Sequence, residues 1–562
     1  MGRVALALFV AACGAARPTA PAPSDPAPRP PDAPLAITID DLPWVGGAWP
    51  RGDTTLAVER ILEAADAHGA PIAGFITCSR ADAEPAALAR WLAAPIELGN
   101  HSTAHRALDD LGLEAWREDI ASCQRRIEEA SGRNVPFFRY PFLQTGADRA
   151  RRDAAFATLA AMGVTRAPVT VDTSDWALVA PYLGAEGDAE RRDAIGRAYV
   201  QHVVRSYRHY RALADQGGHP GAPQVLLLHA NALAADHLGD VLAALSHEGA
   251  RFVRLSEALA DPLYAREDRY VGPIGLSWLY RIDERLADSA WAWDAAQLHA
   301  LEVRFGGREE RERFDLDREL AIERIEPGVW VVTHEEPWPA NSLVLEAHDG
   351  TIVIVDTPYT EEATASLLDW IDARFGDAPK LAINTHFHPD ALGGNAALWQ
   401  RNVPIYGSTH TAALAVDRAH AMREQLAAWL SDRPELATRF ASYRAVPPSR
   451  TFAADEGLRL DLGERVQVLF PGAAHSPDNV VVWFADRGLL FGGCMVNGRE
   501  EGSGAGNLAD ADPLAWPESL GVLERLAPRV VVAGHGSARD PTTVFERTRV
   551  ELARSIADLA AP

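Results

Sequence analysis

The stretch NTHFHPDALGGN, residues 384–395, carries three candidate metal ligands, His386, His388 and Asp390, at alternate positions. It follows the apolar run KLAI, which reads as a buried strand. Alternate side chains of an extended chain point the same way, so the two imidazoles can converge. Asp390 follows in the same tight loop, and Gly393-Gly394 is expected to let the backbone turn sharply behind it. Three further ligand types stand downstream, each expected at a strand end: His475 in PGAAHSPDN, Cys494 in FGGCMV and His535 in VAGHGS. His386, His388 and His475 suit one zinc ion. Asp390, Cys494 and His535 form a softer set for a second, each position leaving room for water. One strand-end histidine is more often structural than a ligand. Six ligand-type residues that sort into two complete sets point to a dinuclear centre.

A second cluster lies near the N-terminus. Asp40 and Asp41 close the apolar run LAITIDD, and HSTAH sets His101 and His105 four residues apart, the spacing that places two side chains on one face of a helical turn. Paired aspartates often only cap a helix, and H-x-x-x-H recurs by chance, so each signal is weak alone. They are followed in order by FFRYPF with Arg139 and Tyr140, DTSDW with Asp175, and LLLHAN with His229, on successive predicted strand ends.

From Leu35 to about Leu259 short apolar runs alternate with amphipathic ones: LAITI, TLAVERILEAADAHG, PIAGFIT, and so on to QVLLLH and RFVRL. Repeated β-α units imply a parallel sheet closed or nearly closed into a barrel, with reactive groups at the C-terminal strand ends. The mixed stretch from about Asp261 to Glu319 is expected to pack beside the barrel and become a connector. From Ile322 the rhythm is strand-rich, with Asp349-Gly350 supplying a tight hairpin turn. Strands and helices in two similar halves suggest a layered α/β sandwich. The resulting division is 35–300, a linker at 301–317, and 318–562, with no internal repeat.

The chain has 562 residues and a net charge of −24, which argues against a nucleic-acid partner. No apolar run reaches the roughly 18 residues of a transmembrane helix. Residues 1–13 have one early arginine, the run VALALFVAA and then Cys13, a short signal-peptide layout. VAAC resembles a lipoprotein signal, which implies an exported, periplasmic protein anchored to a membrane only through lipid on Cys13. The bland alternative is an alanine-rich leader behind a misplaced start. Residues 14–34 are rich in Pro and Ala, and at about 3.1 Å per residue such a tether spans roughly 50–60 Å. Cys78 and Cys123 can pair outside the cytoplasm or stand as two buried thiols; sequence alone leaves both open.

The region from about Glu319 to Ala561, with GVWVVT, VDTP, HFHPDALGGN, FPGAAHSPDNVVVW, LFGGCMV and GNLADADPLAWPESL, resembles the metallo-β-lactamases, specifically the subclass with an Asp-Cys-His second zinc site. The resemblance implies an αββα sandwich, two Zn2+ ions, and direct attack of metal-activated water on the β-lactam amide, with no serine nucleophile. It makes Asp390 both ligand and catalytic residue and Asn507 a substrate contact. Asn497 stands where the family often has a lysine for the drug's carboxylate, and Arg499 is the substitute. The loop THEEPWPANS is short, leaving Trp338 as the apolar contact, and residues 408–440 form a longer helical insertion than usual.

The region from about Pro34 to Ala300 resembles the polysaccharide deacetylases, which implies a (β/α) barrel with one divalent metal, usually zinc, on Asp41, His101 and His105. Carried over by motif, Asp40 is the general base, Arg139 orients it, and Tyr140 offers a backbone donor to the oxyanion. His229 is the general acid, tuned by Asp175. The combined expectation is an exported bifunctional zinc hydrolase acting on a β-lactam and an N-acetylated glycan, with oligomeric state open. Two alternatives accompany it: another ester, lactone or amide substrate for the C-terminal half, and a non-catalytic cell-wall-binding role for the N-terminal half.

Overall fold

The computed structural model describes residues 33–283, 286, 291–441 and 443–560. The expected signal segment with Cys13, and the tether up to residue 32, lie outside the described residues. The last two tether residues, 33 and 34, already belong to the first strand.

The N-terminal half is a parallel sheet of β1 (Ala33–Leu42), β2 (Ile72–Ile76), β3 (Glu97–Asn100), β4 (Phe137–Phe138), β5 (Thr165–Arg166), β6 (Val171–Asp172), β7 (Gln224–His229) and β8 (Ala250–Val253). The order is β5-β4-β3-β2-β1-β7-β6, with β8 paired to the first residues of β1. Among the described residues β5 and β6 do not pair, so of the two forms expected, closed or nearly closed, the sheet takes an open, half-barrel one. The reason lies in VTRAPVTV, which splits at Ala167-Pro168. Proline has no N–H for a ladder, and the carbonyls there take other donors. Arg139 Nε donates to Ala167 O (2.6 Å), Trp278 N to Val169 O (2.6 Å) and Ser277 Oγ to Thr170 O (2.7 Å).

Amphipathic helices cover the sheet. In the helix Leu113–Ser131 the buried residues are Trp116, Ile120, Cys123 and Ile127, the three-and-four spacing of one apolar stripe. That stripe carries Cys123 against Cys78, which opens the helix Cys78–Ala83. The two form a disulfide with Cα atoms 5.6 Å apart, so the pair left open by the sequence is joined.

The C-terminal half is an αββα sandwich. One sheet runs β16 (Arg450–Phe452), β15 (Ile405–Ser408), β14 (Lys380–Ile383), β13 (Ile352–Val355), β12 (Ala340–Glu346), β11 (Val329–His334), β10 (Leu320–Glu326) and β9 (Arg313–Asp315). The other runs β17 (Leu458–Asp461), β18 (Arg465–Leu469), β19 (Val481–Phe484), β20 (Leu489–Gly498) and β21 (Val530–Gly536). Val331, Leu343, Val353 and Val355 of the first sheet meet Val466, Val482, Phe484 and Phe491 of the second in one apolar layer. Gly350, at φ +86°, makes the expected turn between β12 and β13, with Asp349 Oδ1 accepting from Thr351 N.

Residues 301–317, read as a linker, contain the end of the helix Ala292–Phe305 and all of β9, which pairs with β10. Leu301 and Phe305 share a buried cluster with Leu367 and Trp370 on one side and with the N-terminal sheet on the other. Arg191 Nη2 donates to Phe305 O (2.7 Å) and Gln201 Nε2 to Asp377 (3.0 Å), so the connector is a packed seam.

Candidate metal centres

In the N-terminal site, β1 supplies two adjacent aspartates. Successive strand residues ordinarily face opposite sides. Here the register of β1 against β2 shifts between Ile39 and Leu42, and Asp41 takes φ +62°, so the alternation is broken. Asp41 Oδ1 lies 3.4 Å from His105 Nε2, and Asp40 Oδ2 lies 3.8 Å from His101 Nε2. His101 and His105 are not on a helical turn, as their spacing suggested. They converge through a loop in which Ser102 (φ +70°) and His105 (φ +50°) are left-handed. Asp119 holds that loop by accepting from Thr103 N (2.9 Å) and Ala104 N (3.1 Å).

Asp41, His101 and His105 present ligand atoms all within 4.8 Å of one another. His101 Nδ1 donates to Arg139 O (2.8 Å), which leaves Nε2 bare and turned toward the aspartates. Burial lowers both histidines to about 4, so they are neutral and able to ligate. Neutral imidazoles with a carboxylate at this spacing fit a divalent cation. Arg80 Nε, 3.2 Å from Asp41, is a contact that no motif indicated.

The residues expected to serve as acid and base are also brought together. Arg139 Nη1 lies 3.3 Å from both Asp40 oxygens. Burial raises Asp40 to about 6 despite that guanidinium. His229 Nδ1 and Asp175 Oδ1 are 2.6 Å apart, and Asp175 also accepts from His229 N and from Asn231. Burial works to lower His229, but the charge and hydrogen bond of Asp175 more than reverse it, raising it to about 9. The Tyr140 ring is buried between Trp116 and Phe138, which leaves only its backbone for the role expected of it. Phe142, two residues on, is the aromatic that reaches the site, 4.7 Å from the His105 ring.

A raised His229 has a measurable consequence. Protonated below about 9, it can donate a proton, and this capacity is lost as pH rises through that value. Asp175→Asn removes the charge that raises it while burial remains. The alkaline limb of amine release should therefore move down by at least about one pH unit. An unshifted limb in a pH–rate profile would mean His229 is not the acid.

In the C-terminal site, the rings of His386, His388 and His475 meet edge to face at 4.8, 5.2 and 5.0 Å. Asp390 is the second residue of the short helix Pro389–Leu392, with Oδ2 3.0 Å from Cys494 Sγ and 3.2 Å from His535 Nε2. Compact ligand groups form from Asp390, Cys494 and His535, from His386, His388 and Asp390, and from His386, His475 and Cys494. The strand-end expectation holds only loosely. His475 sits in the loop between β18 and β19, and Cys494 lies within β20, beside a register shift and Gly493 at φ +54°.

Three of the four imidazoles are held by an outer partner, while His475 Nε2 meets His388 Nδ1 at 3.1 Å. Thr385 Oγ1 donates to Asp356 (2.7 Å) and so accepts from His386 Nδ1 (3.0 Å), leaving His386 Nε2 buried with no hydrogen bond among the described residues and 3.6 Å from Asp390 Oδ1. Asp510 accepts from His388 Nε2 (3.2 Å), and Pro339 O accepts from His535 Nδ1 (2.6 Å). The free nitrogens therefore aim at one another and at Asp390, as a metal would require. Burial lowers His386 to about 3, keeping it neutral. Burial and the Asp390 charge push the Cys494 thiol up, so thiolate there calls for a cation. These donor sets fit zinc. Asp510 and Asp356 are residues the sequence reading missed.

Gly393 and Gly394 make the expected turn, between the helices Pro389–Leu392 and Asn395–Gln400, but at negative φ (−60° and −93°), so the turn itself does not require glycine. They are needed for close approach: a Cβ would lie 2.2 Å from Tyr359 O at Gly393 and 1.7 Å from Thr364 Oγ1 at Gly394.

The ligands open into a cleft of about 1060 Å³ lined by Trp338, Arg499, Asn507 and the helix Ala419–Trp429. Asn497 Nδ2 donates to Gly504 O, and the Arg499 guanidinium, which lines the cleft, donates to the neutral oxygens of Asn497 and Gly504.

Fold and site together fit a metal-dependent hydrolase with two separate candidate sites. Residues 27–162 match the family model "Polysaccharide deacetylase" and residues 336–535 match "Metallo-beta-lactamase superfamily". A metallo-beta-lactamase type 2 from Bacillus sp. (strain 170) is 30% identical over 229 residues, 39% of this chain and 78% of the relative. One from Pseudomonas aeruginosa is 29% identical over 239 residues, 41% of this chain and 83% of the relative. The solved metallo-beta-lactamase from Pontibacter korlensis aligns with 42% of this chain and 99% of its own at 29% identity, TM-score 0.34. The chain belongs to the metallo-beta-lactamase superfamily through its C-terminal half, joined to an N-terminal polysaccharide deacetylase domain.

Proposed function

We propose that this chain is an exported bifunctional zinc hydrolase, whose C-terminal half opens β-lactam rings and whose N-terminal half removes N-acetyl groups from a glycan. The observation that carries the reading is the meeting of Asp390, Cys494 and His535 beside three imidazoles at the floor of one large cleft. Zinc held by these residues, and one ion on Asp41, His101 and His105, would supply Lewis-acid activation of water and of the carbonyl.

The protein's own groups do the rest. In the C-terminal half, Asp510, Thr385 and Pro339 O fix the ligand imidazoles, Arg499 and Asn507 hold the substrate's carboxylate, and Trp338 covers its apolar part. In the N-terminal half, Asp40 takes a proton from the attacking water and Arg139 keeps Asp40 in place. His229 gives a proton to the leaving amine, with acetate as the other product. The disulfide between Cys78 and Cys123 supports an oxidising compartment, as do the leader and Cys13. Membrane attachment would be through that lipid alone, and the charge of −24 argues against a nucleic-acid partner.

Zinc-reconstituted protein should hydrolyse the chromogenic cephalosporin nitrocefin, lose that activity to a chelator and regain it with zinc. Elemental analysis should find about three zinc ions per chain. No hydrolysis by zinc-loaded protein would sink the β-lactam reading, and a single ion per chain would sink the two-centre scheme.

A further inference from the structure

The helical insertion does more than lengthen the chain. On the helix Ala419–Trp429, Met422, Leu426 and Trp429 recur at the spacing of one helical stripe, and all three line the metal cleft. Met422 and Leu426 are buried in a cluster with Phe387, the residue between the ligands His386 and His388. Trp429 and Trp338 remain 40% and 37% exposed, and their rings meet edge to face at 5.7 Å. An insertion residue and a loop residue thus form one aromatic wall above the ligands.

That wall is fixed in place. Arg433, just past the helix, donates to Pro337 O (2.7 Å) and pairs with Glu336. On the other side of Trp338, Pro339 O accepts from the ligand His535. The loop is therefore tied at both ends, to the insertion and to the metal site. Holding two aromatic faces before a ligand arrives avoids the cost of ordering them on binding.

We propose that Met422, Leu426, Trp429 and Trp338 form a preorganised subsite for an aryl acyl substituent of the substrate, with Arg433 as the residue that positions the Trp338 loop. This rests on the β-lactam reading and names the substrate class within it. An aryl ring packed edge to face against two tryptophans gains stabilisation that a substrate without the ring cannot.

The test compares kcat/KM of zinc-loaded protein for benzylpenicillin and for 6-aminopenicillanic acid, the same nucleus without the aryl acyl group. Wild type should favour the aryl substrate. Trp429→Ala should lower the ratio about tenfold, mainly through KM, and Trp429→Phe should restore most of it. Arg433→Ala should lower the ratio in the same direction. An unchanged ratio in Trp429→Ala, or a wild-type preference for the deacylated nucleus, overturns the subsite. If wild type hydrolyses neither compound, the β-lactam reading fails, and calorimetric binding of phenylacetylglycine decides the subsite by itself. Affinity weakened about tenfold by Trp429→Ala supports it, and equal affinities overturn it.

Discussion

Replacing Cys494 with serine is expected to lower β-lactam turnover by about a hundredfold or more while acetate release from a glycan continues. The serine hydroxyl keeps roughly the shape of the thiol but is a poor ligand for a soft position. Even outer partners of metal ligands typically contribute about 10- to 100-fold, and Cys494 stands 3.0 Å from Asp390 in the ligand group itself. The loss should be selective, because His386, His388 and His475 remain and should retain one ion. Zinc content should fall by about one ion per chain. The N-terminal site, on different strands of a different sheet, should be untouched. Unchanged turnover would remove Cys494 from the ligand set and with it the subclass assignment.

The second large effect is expected at Asp40. In Asp40→Asn the ligand carboxylate Asp41 and both imidazoles remain, so metal binding should persist. The amide cannot take the proton that the attacking water must lose. Positioned general bases typically contribute about a hundredfold to ten-thousandfold, and acetate release from an N-acetylated oligosaccharide should drop by that order. Nitrocefin hydrolysis should stay near wild type. Asp40 is buried against Arg139, so the amide also leaves that guanidinium less well paired. Circular dichroism of the variant should show a folded protein, which separates lost chemistry from lost structure. Wild-type protein that releases no acetate from chitooligosaccharide or peptidoglycan fragments would instead favour a binding module.

The sequence by itself determined what short-range chemistry can encode. Alternation of apolar runs set out the parallel β-α half and the strand-rich half, Asp349-Gly350 marked its hairpin, and the ligand types at residues 386, 388, 390, 475, 494 and 535 marked the candidate metal ligands that the fold gathers. Those signals are local, because strand periodicity, turn residues and ligand identity each occupy a few neighbouring residues. What the tertiary structure decided are contacts between residues far apart in the chain. The β1 register shift lets Asp40 and Asp41 share one site, although a regular strand would point them apart. A loop held by Asp119 brings His101 and His105 together where the spacing alone suggested a helix. The break at Ala167-Pro168 leaves the sheet open, and the helix Leu113–Ser131 carries Cys123 to Cys78. Asp510 reaches His388, and Trp429 reaches Trp338, across loops whose lengths carry no signal of where they end. Gly393 and Gly394 show the limit most plainly. Their identity was legible, but their reason, the approach of Tyr359 O and Thr364, exists only once distant segments have packed.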